Sequence, residues 1–199
     1  LMNEFHSIGF YMSDHPLKIY KDYFEQLKIT SFKDFMSDSS STAVVAGTIM
    51  AIQEKKSAKG NPFAIIKFTD LKSEFELFLF SDLLISNRDK LKTANSFVIT
   101  LNKDSISEDN VTRRVNIRNI VPLSNFVKKS YSKITIEING KSNVNELQGL
   151  LEEGGETRVE IKVKREAKIY IFSLKKPRKF NFSTFNNIRS KKYVKKISF

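Results

Sequence analysis

Apolar residues between positions 43 and 121 recur in five short runs that are separated by polar turns. The runs are AVVAGTIMAIQ (43–53), PFAIIKFT (62–69), EFELFLF (74–80), SFVITLN (96–102) and VTRRVNIRNIV (111–121). Each run is rich in β-branched or aromatic residues and is bounded by turn formers, which is typical of strands. Between the third and fourth runs, SDLLISNRDKL (81–91) spaces Leu83, Leu84 and Leu91 as on a helix, with Ser81 as a candidate N-cap.

Three strands, a helix and two further strands follow the element order of the OB-fold. We therefore predict a closed five-stranded β-barrel over residues 42–121, preceded by a helical lead-in and linker over 1–41. OB-folds commonly bind single-stranded nucleic acid or oligosaccharide. They use the face of strands 2 and 3 together with the loops between strands 1 and 2 and between strands 4 and 5.

The lead-in carries a helical stripe formed by Leu17, Tyr20, Phe24 and Leu27. Its start is predicted at Ser13 or Asp14, because the proline at position 16 is tolerated in a first helical turn. We expect this helix to pack on the barrel, and the serine-rich residues 37–41 to form a linker into it.

After Pro122 the pattern predicts a second unit over residues 122–199. Its elements are KITIEI (strand), VNELQGLL (helix), EGGE (loop), TRVEIKVKR and AKIYIFSL (strands), FSTFNNI (helix) and KKYVKKISF (strand). The order β-α-β-β-α-β is that of the split, ferredoxin-like arrangement, with Glu166 and Ala167 turning the central hairpin. Together the two units predict a mixed α+β fold.

The hairpin between the first two strands is the first candidate for chemistry. EKKSAKGNP carries Lys55, Lys56 and Lys59, and Gly60 with Asn61 supplies a tight turn. Alternation then assigns faces to the next two strands. The residues predicted to face inward are Ala64, Ile66, Phe68, Phe75, Leu77 and Leu79, and those predicted to face outward are Phe63, Ile65, Lys67, Glu76, Phe78 and Phe80.

An outward face with aromatic rings and a lysine suits a platform on which bases stack while cations follow phosphates. The predicted nucleic-acid-binding residues are Lys55, Lys56, Lys59, Asn61, Phe63, Lys67 and Phe78. Two simpler interpretations stay open: the hairpin is a solvated loop, or the face is covered by the N-terminal helices, which Glu76 favours.

Charge is distributed unevenly along the 199 residues. The chain has 34 Lys and Arg against 22 Asp and Glu, a formal charge of +12, and residues 122–199 hold 18 of these cations against 7 of the acids. Strongly basic chains tend to bind polyanions. The densest cationic run, KKPRKF (175–180), is either a solvated connection or a patch for an acidic partner or nucleic acid. Candidate apolar anchors for a protein partner lie near it at Phe180, Phe182, Phe185, Tyr193 and Phe199.

Signals for catalysis are few. The sequence has no phosphate-binding or dinucleotide-binding glycine motif and no nucleophile elbow. Glu74 and Glu76 share a strand face but have no third carboxylate nearby, and hard cations need several oxygen ligands. We therefore predict no catalytic or metal-binding residues in this chain. The loop KDSISEDN (103–110) is acidic and a weak candidate for phosphate contact, partly offset by Arg113, Arg114 and Arg118.

No cysteine, signal peptide or long apolar run is present, so we expect a cytoplasmic protein without disulfides or membrane contact. The chain begins inside a predicted helix, and we interpret it as a piece of a longer protein.

Two motifs carry a family resemblance. The first is Gly-Phe-Tyr-x-Ser-x-His-Pro-Leu over residues 9–17, and the second is formed by Ala46, Gly47, Lys59, Gly60, Asp70, Leu79 and Phe80. Over residues 4–121 the chain resembles the C-terminal part of the bacterial replicative DNA polymerase III alpha subunit. It departs from the family pattern at Asp14, where glycine is usual, and at Leu71 and Lys72, where a small polar turn is usual.

The resemblance implies a noncatalytic fragment of a DNA-directed DNA polymerase, a nucleotidyltransferase of DNA replication. The catalytic carboxylates and magnesium of such a parent chain lie in a palm domain outside this fragment. The implied partners are single-stranded template DNA, the tau subunit of the clamp loader and other polymerase III holoenzyme subunits. The alternatives are a stand-alone OB-fold protein that binds single strands or tRNA, and a pure protein-interaction module.

Overall fold

The computed structural model describes residues 15–104, 114–140, 143–165 and 168–199. Two compact units divide the chain, one ending at Phe126 and the other spanning Val127–Phe199. Several predictions lie outside the described residues: residues 9–14 of the first motif, the helix start at Ser13 or Asp14, Arg113, and the turn at Glu166 and Ala167.

A five-stranded antiparallel sheet forms the first unit. Its strands are β1 (Thr42–Lys56), β2 (Pro62–Thr69), β3 (Glu74–Phe80), β4 (Ser96–Lys103) and β5 (Val115–Pro122). They lie in the order β3-β2-β1-β4-β5, so β3 and β5 are the edges of the sheet as the described residues form it. The predicted closed barrel is therefore not confirmed, because no ladder of backbone hydrogen bonds joins these two edges in the described part of the chain.

The core of this unit lies on one face of the sheet, as the alternation predicts. Strand β2 buries Ala64, Ile66 and Phe68, and β3 buries Phe75, Leu77 and Leu79. Helix α3 (Ser81–Asn87), which follows β3, adds Leu84 to the same cluster. Burying each such side chain contributes about 1.5 to 3 kcal/mol, so the inward faces of β2 and β3 are fixed by their apolar residues.

The lead-in is broken into short pieces. A 3₁₀ turn (Lys18–Tyr20) and α1 (Lys21–Gln26) precede a second helix, α2 (Phe32–Ser37), that was not predicted. Its signal is local: Ser31 caps α2 by accepting a hydrogen bond from the backbone N–H of Asp34 at 3.1 Å. The residues predicted as a linker begin inside this helix.

The remaining short elements of the first unit are a 3₁₀ turn (Arg88–Lys90) after α3 and helix α4 (Leu123–Phe126) after β5. The cap predicted for α3 is wrong by one residue. Phe80 occupies the N-cap position, and the hydroxyl of Ser81 donates to the carbonyl of Pro62 at 3.3 Å instead.

The second unit is a four-stranded mixed sheet with two helices. Its elements are β6 (Lys133–Asn139), α5 (Val144–Gly149), β7 (Glu153–Arg165), β8 (Lys168–Ser173), α6 (Phe182–Arg189) and β9 (Val194–Ser198). The element order is as predicted, but the split, ferredoxin-like arrangement is wrong. The strand order is β8-β7-β6-β9, with β6 and β7 adjacent and parallel. Helix α5 makes the crossover that a parallel pair needs, and no strand lies between them.

The predicted loop EGGE (153–156) is also wrong, because these residues begin β7. Isolated bridges pair Glu153 and Thr157 with Arg178, so residues 175–180 lie against the start of this strand. A Cβ atom at Gly155 would lie 2.2 Å from the carbonyl oxygen of Arg178. Glycine is therefore required here by the close approach of two backbone segments.

Candidate nucleic-acid interface

The turn that joins β1 to β2 is closed by its own backbone. The N–H of Ser57 donates to the carbonyl of Asn61 at 2.9 Å, and the N–H of Gly60 donates to the carbonyl of Ser57 at 2.8 Å. Gly60 has a φ of +79°, which glycine adopts without the penalty that a Cβ atom would bring. Asn61 thus contributes backbone groups to the turn, and its side chain is exposed.

Lys55, Lys56 and Lys59 are all exposed on this hairpin. The strand register pairs Lys55 with Phe63 and Lys56 with Pro62. Paired residues share a face of a sheet, and successive residues alternate between faces. Lys55 therefore lies on the face of Phe63, whereas Lys56 lies on the opposite face.

Three phenylalanines form an aromatic patch on the outer face of β2 and β3: Phe63, Phe78 and Phe80. Their ring centroids lie 6.2 to 6.3 Å apart. Phe78 is 45% exposed and Phe80 is 57% exposed. Phe80 was not among the predicted site residues, although alternation along β3 places it on this face. We call these three residues the aromatic patch.

The described lead-in helices contact other parts of the first unit. Phe32 of α2 stacks on Phe75 with ring centroids 4.3 Å apart, and Phe75 belongs to the inward face. Phe78 and Phe80 keep their exposure in the presence of these helices. Among the described residues, the interpretation that the lead-in covers the aromatic patch is not supported.

Strand register arranges the outer face in three cross-strand rows. The rows are Lys55–Phe63–Phe80, Gln53–Ile65–Phe78 and Ala51–Lys67–Glu76. The row nearest the hairpin turn is cationic and aromatic, and the row farthest from it holds a lysine beside an acid. The face therefore changes from positive to mixed charge along the strands.

Lys67 is tied to an acidic partner. Its ammonium lies 2.7 Å from a carboxylate oxygen of Glu74, and Glu76 is its cross-strand neighbour. The hydrogen bond and the charge of Glu74 raise the pKa of Lys67 above its ordinary value. Of the predicted site residues, Lys67 thus carries a charge that this structure already compensates, so it offers less to a phosphate than the hairpin lysines do.

Lys103, predicted to begin the acidic loop, ends β4 instead and is 5% exposed. Its ammonium donates to the carbonyls of Phe35 and Asp38, the latter at 2.6 Å, and lies 4.3 Å from the centroid of the Phe35 ring. Its role is to hold α2 against β4. Residues 105–113, the rest of this loop and the start of the predicted fifth strand, lie outside the described residues.

The basic residues at the start of β5 are exposed. Arg114 and Arg118 both have solvent-exposed side chains, and the amide of Asn116 donates to the carboxylate of Asp104 at 3.0 Å. Asn116 thus fastens β5 to the end of β4.

The cationic run at 175–180 is engaged with acids. Lys176 and Arg178 lie 2.8 and 3.2 Å from carboxylate oxygens of Glu153, and Lys179 lies 3.4 Å from Glu152. Arg178 is 5% exposed and also donates to the carbonyl of Leu151 at 3.1 Å. Lys176, and then Arg178, hold the pKa of Glu153 below its ordinary value. These contacts favour the structural interpretation of the run over a nucleic-acid patch.

Within the described residues, no group of three or more His, Asp or Glu side chains is placed to hold a metal ion. The absence of a metal site from the whole chain stays a prediction. The described helices are all too short or too polar to cross a membrane.

No protein-family model matches the chain. It is 31% identical over 109 residues to the DNA polymerase III subunit alpha of Rickettsia bellii, which covers 53% of this chain. The same subunit of Rickettsia felis is 28% identical over 141 residues, and that of Buchnera aphidicola subsp. Acyrthosiphon pisum is 27% identical over 157 residues. The chain is related to DNA polymerase III alpha subunits. The matched segments span 9, 10 and 13% of the length of these three relatives.

Asp70 is one of the motif positions shared with DNA polymerase III alpha subunits, and in this chain it has a structural role. Asp70 is buried and accepts three backbone hydrogen bonds, from Phe32 at 2.8 Å and from Lys72 and Ser73 at 2.7 Å each. It joins the start of α2 to the turn between β2 and β3. Because residues 72 and 73 contribute N–H groups to this network, the unusual side chains at Leu71 and Lys72 leave it intact.

Proposed function

We propose that this chain is a noncatalytic part of a DNA polymerase III alpha subunit that binds single-stranded template DNA through its first unit during replication. The observation that carries the proposal is the aromatic patch beside the lysine hairpin. Exposed rings offer a stacking surface that tolerates any base, and stacking contributes roughly 1 to 3 kcal/mol per base.

An OB-type fold for the first unit is part of the proposal. The strand order β3-β2-β1-β4-β5 places β1 between β2 and β4, and α3 lies between β3 and β4 in the chain. The two edge strands, β3 and β5, have Cα atoms within 8 Å of one another. Such proximity supports a partly open barrel, and the aromatic patch lies on the strand 2 and 3 face that OB-folds use for oligonucleotides.

The distribution of charge favours binding of single-stranded DNA at the end of this face that is nearest the hairpin. Lys55 lies in the same cross-strand row as Phe63 and Phe80, whereas Lys67 is paired with Glu74. We propose that the phosphates pass near the hairpin lysines and that the bases stack on the aromatic patch. Glu74 and Glu76 would repel phosphates at the far end and limit the length of the bound segment.

The parent polymerase activity and its magnesium ions are proposed for the longer protein and not for this chain. The described residues hold no carboxylate group suited to two metal ions, and no catalytic step is assigned to them. The second unit, with most of the surplus positive charge, is proposed to contact the tau subunit of the clamp loader and other holoenzyme subunits.

The register supplies a matched pair for testing DNA binding. Lys55→Glu and Lys56→Glu make the same charge change one residue apart, on opposite faces of β1. Binding of a fluorescently labelled single-stranded oligonucleotide is measured at about 50 and 200 mM salt. We expect Lys55→Glu to weaken binding at least about fivefold more than Lys56→Glu, because only Lys55 shares the face of the aromatic patch.

Triple replacement of Lys55, Lys56 and Lys59 by Glu should reduce both the affinity and its salt slope. Each lost phosphate contact removes about 0.7 from the slope for a single strand. The control is Lys21→Glu/Lys90→Glu/Lys92→Glu, an equal charge change at exposed positions elsewhere in the first unit. Equal losses in the two triple variants would mean that net charge, and not the hairpin, governs binding.

A protein contact through the same face is a second candidate. Exposed Phe78 and Phe80 favour it, because aromatic residues are enriched at protein–protein interfaces, and Glu74 and Glu76 on the same face are unfavourable beside phosphate. Phe78→Ala/Phe80→Ala decides between the two. If this variant binds DNA as the unchanged chain does, the aromatic patch does not contact DNA, and the protein contact is favoured.

A further inference from the structure

Strand β8 is an edge of the second sheet that lacks the usual protection of edge strands. It pairs with β7 over Lys168–Ser173 and ends the strand order. Its other side offers backbone N–H and C=O groups that pair with no further strand of the described residues. Edge strands usually carry charges, a proline or a bulge that prevent pairing with another chain, but the centre of β8 reads Ile169-Tyr170-Ile171.

The side chains of β8 are unusually exposed for their type. Ile169 is 65% exposed and Ile171 is 55% exposed, and Tyr170 between them is 38% exposed. Single exposed apolar residues are normal. Consecutive ones along the last strand of a sheet are different, because both the backbone and the side chains lose water when another strand pairs there.

Two of the aromatic residues that the sequence offered as protein anchors are part of the core. Phe180 is 4% exposed and Phe185 is fully buried, and both pack on the ring of Phe199. They hold the unit together and are not available to a partner. Within the described part of the second unit, the large apolar side chains with the highest exposure are Ile169 and Ile171.

The charges around β8 indicate what kind of segment would pair with it. Ile171 lies opposite Lys162 and Ile169 lies opposite Lys164, so all four share one face of the sheet. The acids Glu160 and Glu137 lie on that face. Glu160 is opposite Ser173, and its carboxylate lies 2.7 Å from the ammonium of Lys133. Glu137 lies between Lys162 and Lys196 as the cross-strand neighbour of both, so Lys164 is the lysine beside β8 that has no acid opposite it among these pairs. Strands lie about 4.8 Å apart, so the long lysine side chains reach over β8 toward a strand added beside it.

We infer that β8 is a docking edge for an extended, acidic segment of a partner protein. The segment adds to the sheet as a strand through backbone hydrogen bonds. Apolar side chains at alternate positions cover Ile169 and Ile171, and flanking carboxylates meet Lys162, Lys164 and Lys168. A second copy of this chain fits less well, because its own β8 would bring the same cations together. The inference does not depend on DNA binding by the first unit.

The probe is a blocked peptide of ten residues, EETVTVTVEE, carrying a fluorophore and titrated into the full chain. Its matched control is KKTVTVTVKK, which has the same centre and the opposite charge. A third peptide is EETVTVTVEE methylated on alternate central backbone nitrogens, which removes hydrogen-bond donors and keeps the charge. We expect the acidic peptide to bind at least tenfold tighter than either control.

Variants of the protein test the location. Ile169→Lys/Ile171→Lys should weaken binding of the acidic peptide at least tenfold, and Lys162→Glu/Lys164→Glu should weaken it in favour of the basic peptide. Ile19→Lys/Ile85→Lys is the matched control, since these isoleucines are 67 and 63% exposed in the first unit; it should bind as the unchanged chain does. Circular dichroism verifies that each variant is folded.

Four results of the experiments on peptide binding and oligomeric state would overturn the inference, and a competition with DNA supplies a fifth. They are no saturable binding of the acidic peptide, equal binding of the methylated peptide, an equal effect of the control variant, and a dimer in sedimentation velocity that Ile169→Lys/Ile171→Lys abolishes. The last result would assign the edge to a second copy of the chain. Displacement of the peptide by single-stranded DNA, with reduced DNA binding by the same variant, would assign it to nucleic acid and also overturn the inference.

Discussion

At the scale of single residues, the most informative side chain is Asp70. It contributes to stability through the backbone hydrogen bonds that it accepts. It is 7% exposed and accepts three backbone hydrogen bonds that connect α2 to the turn between β2 and β3. Asp70→Ala leaves these donors without their acceptor. At about 1 kcal/mol net for each bond, we expect a loss of about 3 kcal/mol in the free energy of unfolding, measured with urea.

Asp70→Asn separates the shape of the side chain from its acceptors. The amide keeps one carbonyl oxygen in place of two carboxylate oxygens. The free energy of unfolding of Asp70→Asn should therefore lie between that of Asp70→Ala and that of the unchanged chain. Asp89→Ala, at an exposed position in the same unit, should change stability by no more than about 0.5 kcal/mol. A loss at Asp70 as small as at Asp89 would contradict the role described for this carboxylate.

At the scale of elements, the contact between residues 175–180 and the start of β7 depends on Gly155. A Cβ atom there meets backbone atoms of Arg178 and Lys179 at 2.2 to 2.3 Å, which side-chain rotation does not relieve. We expect Gly155→Ala to lower the free energy of unfolding of the second unit by about 3 kcal/mol, the upper range for overpacking. Thermal and urea unfolding, followed by circular dichroism, measure the loss.

Gly149→Ala is the matched control in the same unit. Gly149 ends helix α5, and a Cβ atom there meets nothing within 4 Å. Alanine favours the helix and restricts the unfolded chain, so this variant should be more stable by a few tenths to about 1 kcal/mol. Changes of the same sign at the two glycines would show that the backbone contact at Gly155 is not what constrains this region.

At the scale of the whole molecule, the aromatic patch proposed for stacking and most of the surplus positive charge lie in different units. Residues 122–199 hold 18 Lys and Arg against 7 Asp and Glu, so they attract any polyanion at low salt, and this attraction falls steeply as salt rises. Stacking on the aromatic patch depends little on salt. We predict that the preference of the full chain for single-stranded over double-stranded DNA increases at least about fivefold between about 50 and 200 mM salt.

Phe78→Ala/Phe80→Ala should lower the preference at both salt concentrations and reduce the increase, because the attraction that remains is electrostatic and differs between the two forms of DNA only in its slope, about 0.7 against 0.9 per phosphate. Ile19→Ala/Ile85→Ala, which truncates exposed side chains elsewhere in the first unit, should leave the increase unchanged. Anisotropy titrations with the two DNA forms at each salt concentration make the comparison. A constant preference in the unchanged chain would contradict the division of roles between the units.

The elements of this protein could be predicted from its sequence because their signals are local. Alternation along β2 and β3 assigned every inward residue correctly, since a one-residue slip would expose Ile66 and Leu77 to water. The missed helix α2 also has a local signal, the cap at Ser31, but six residues give too little periodicity to recognise. The resemblance to DNA polymerase III alpha subunits was recognised from motif positions such as Asp70. The structural role of Asp70 is seen only in the hydrogen bonds that it accepts in the folded chain.

Which elements become neighbours was decided by tertiary structure. Periodicity says which face of a strand is buried but not which strand lies beside it, so the parallel pairing of β6 with β7 did not follow from the element order. The same limit applies to the candidate site. The lysine-rich hairpin and the outward phenylalanines could be predicted from local sequence. The fold decided that Lys55 and Lys56 lie on opposite faces and that Lys67 is compensated by Glu74, because register and cross-strand distance belong to the folded sheet and not to the order of residues.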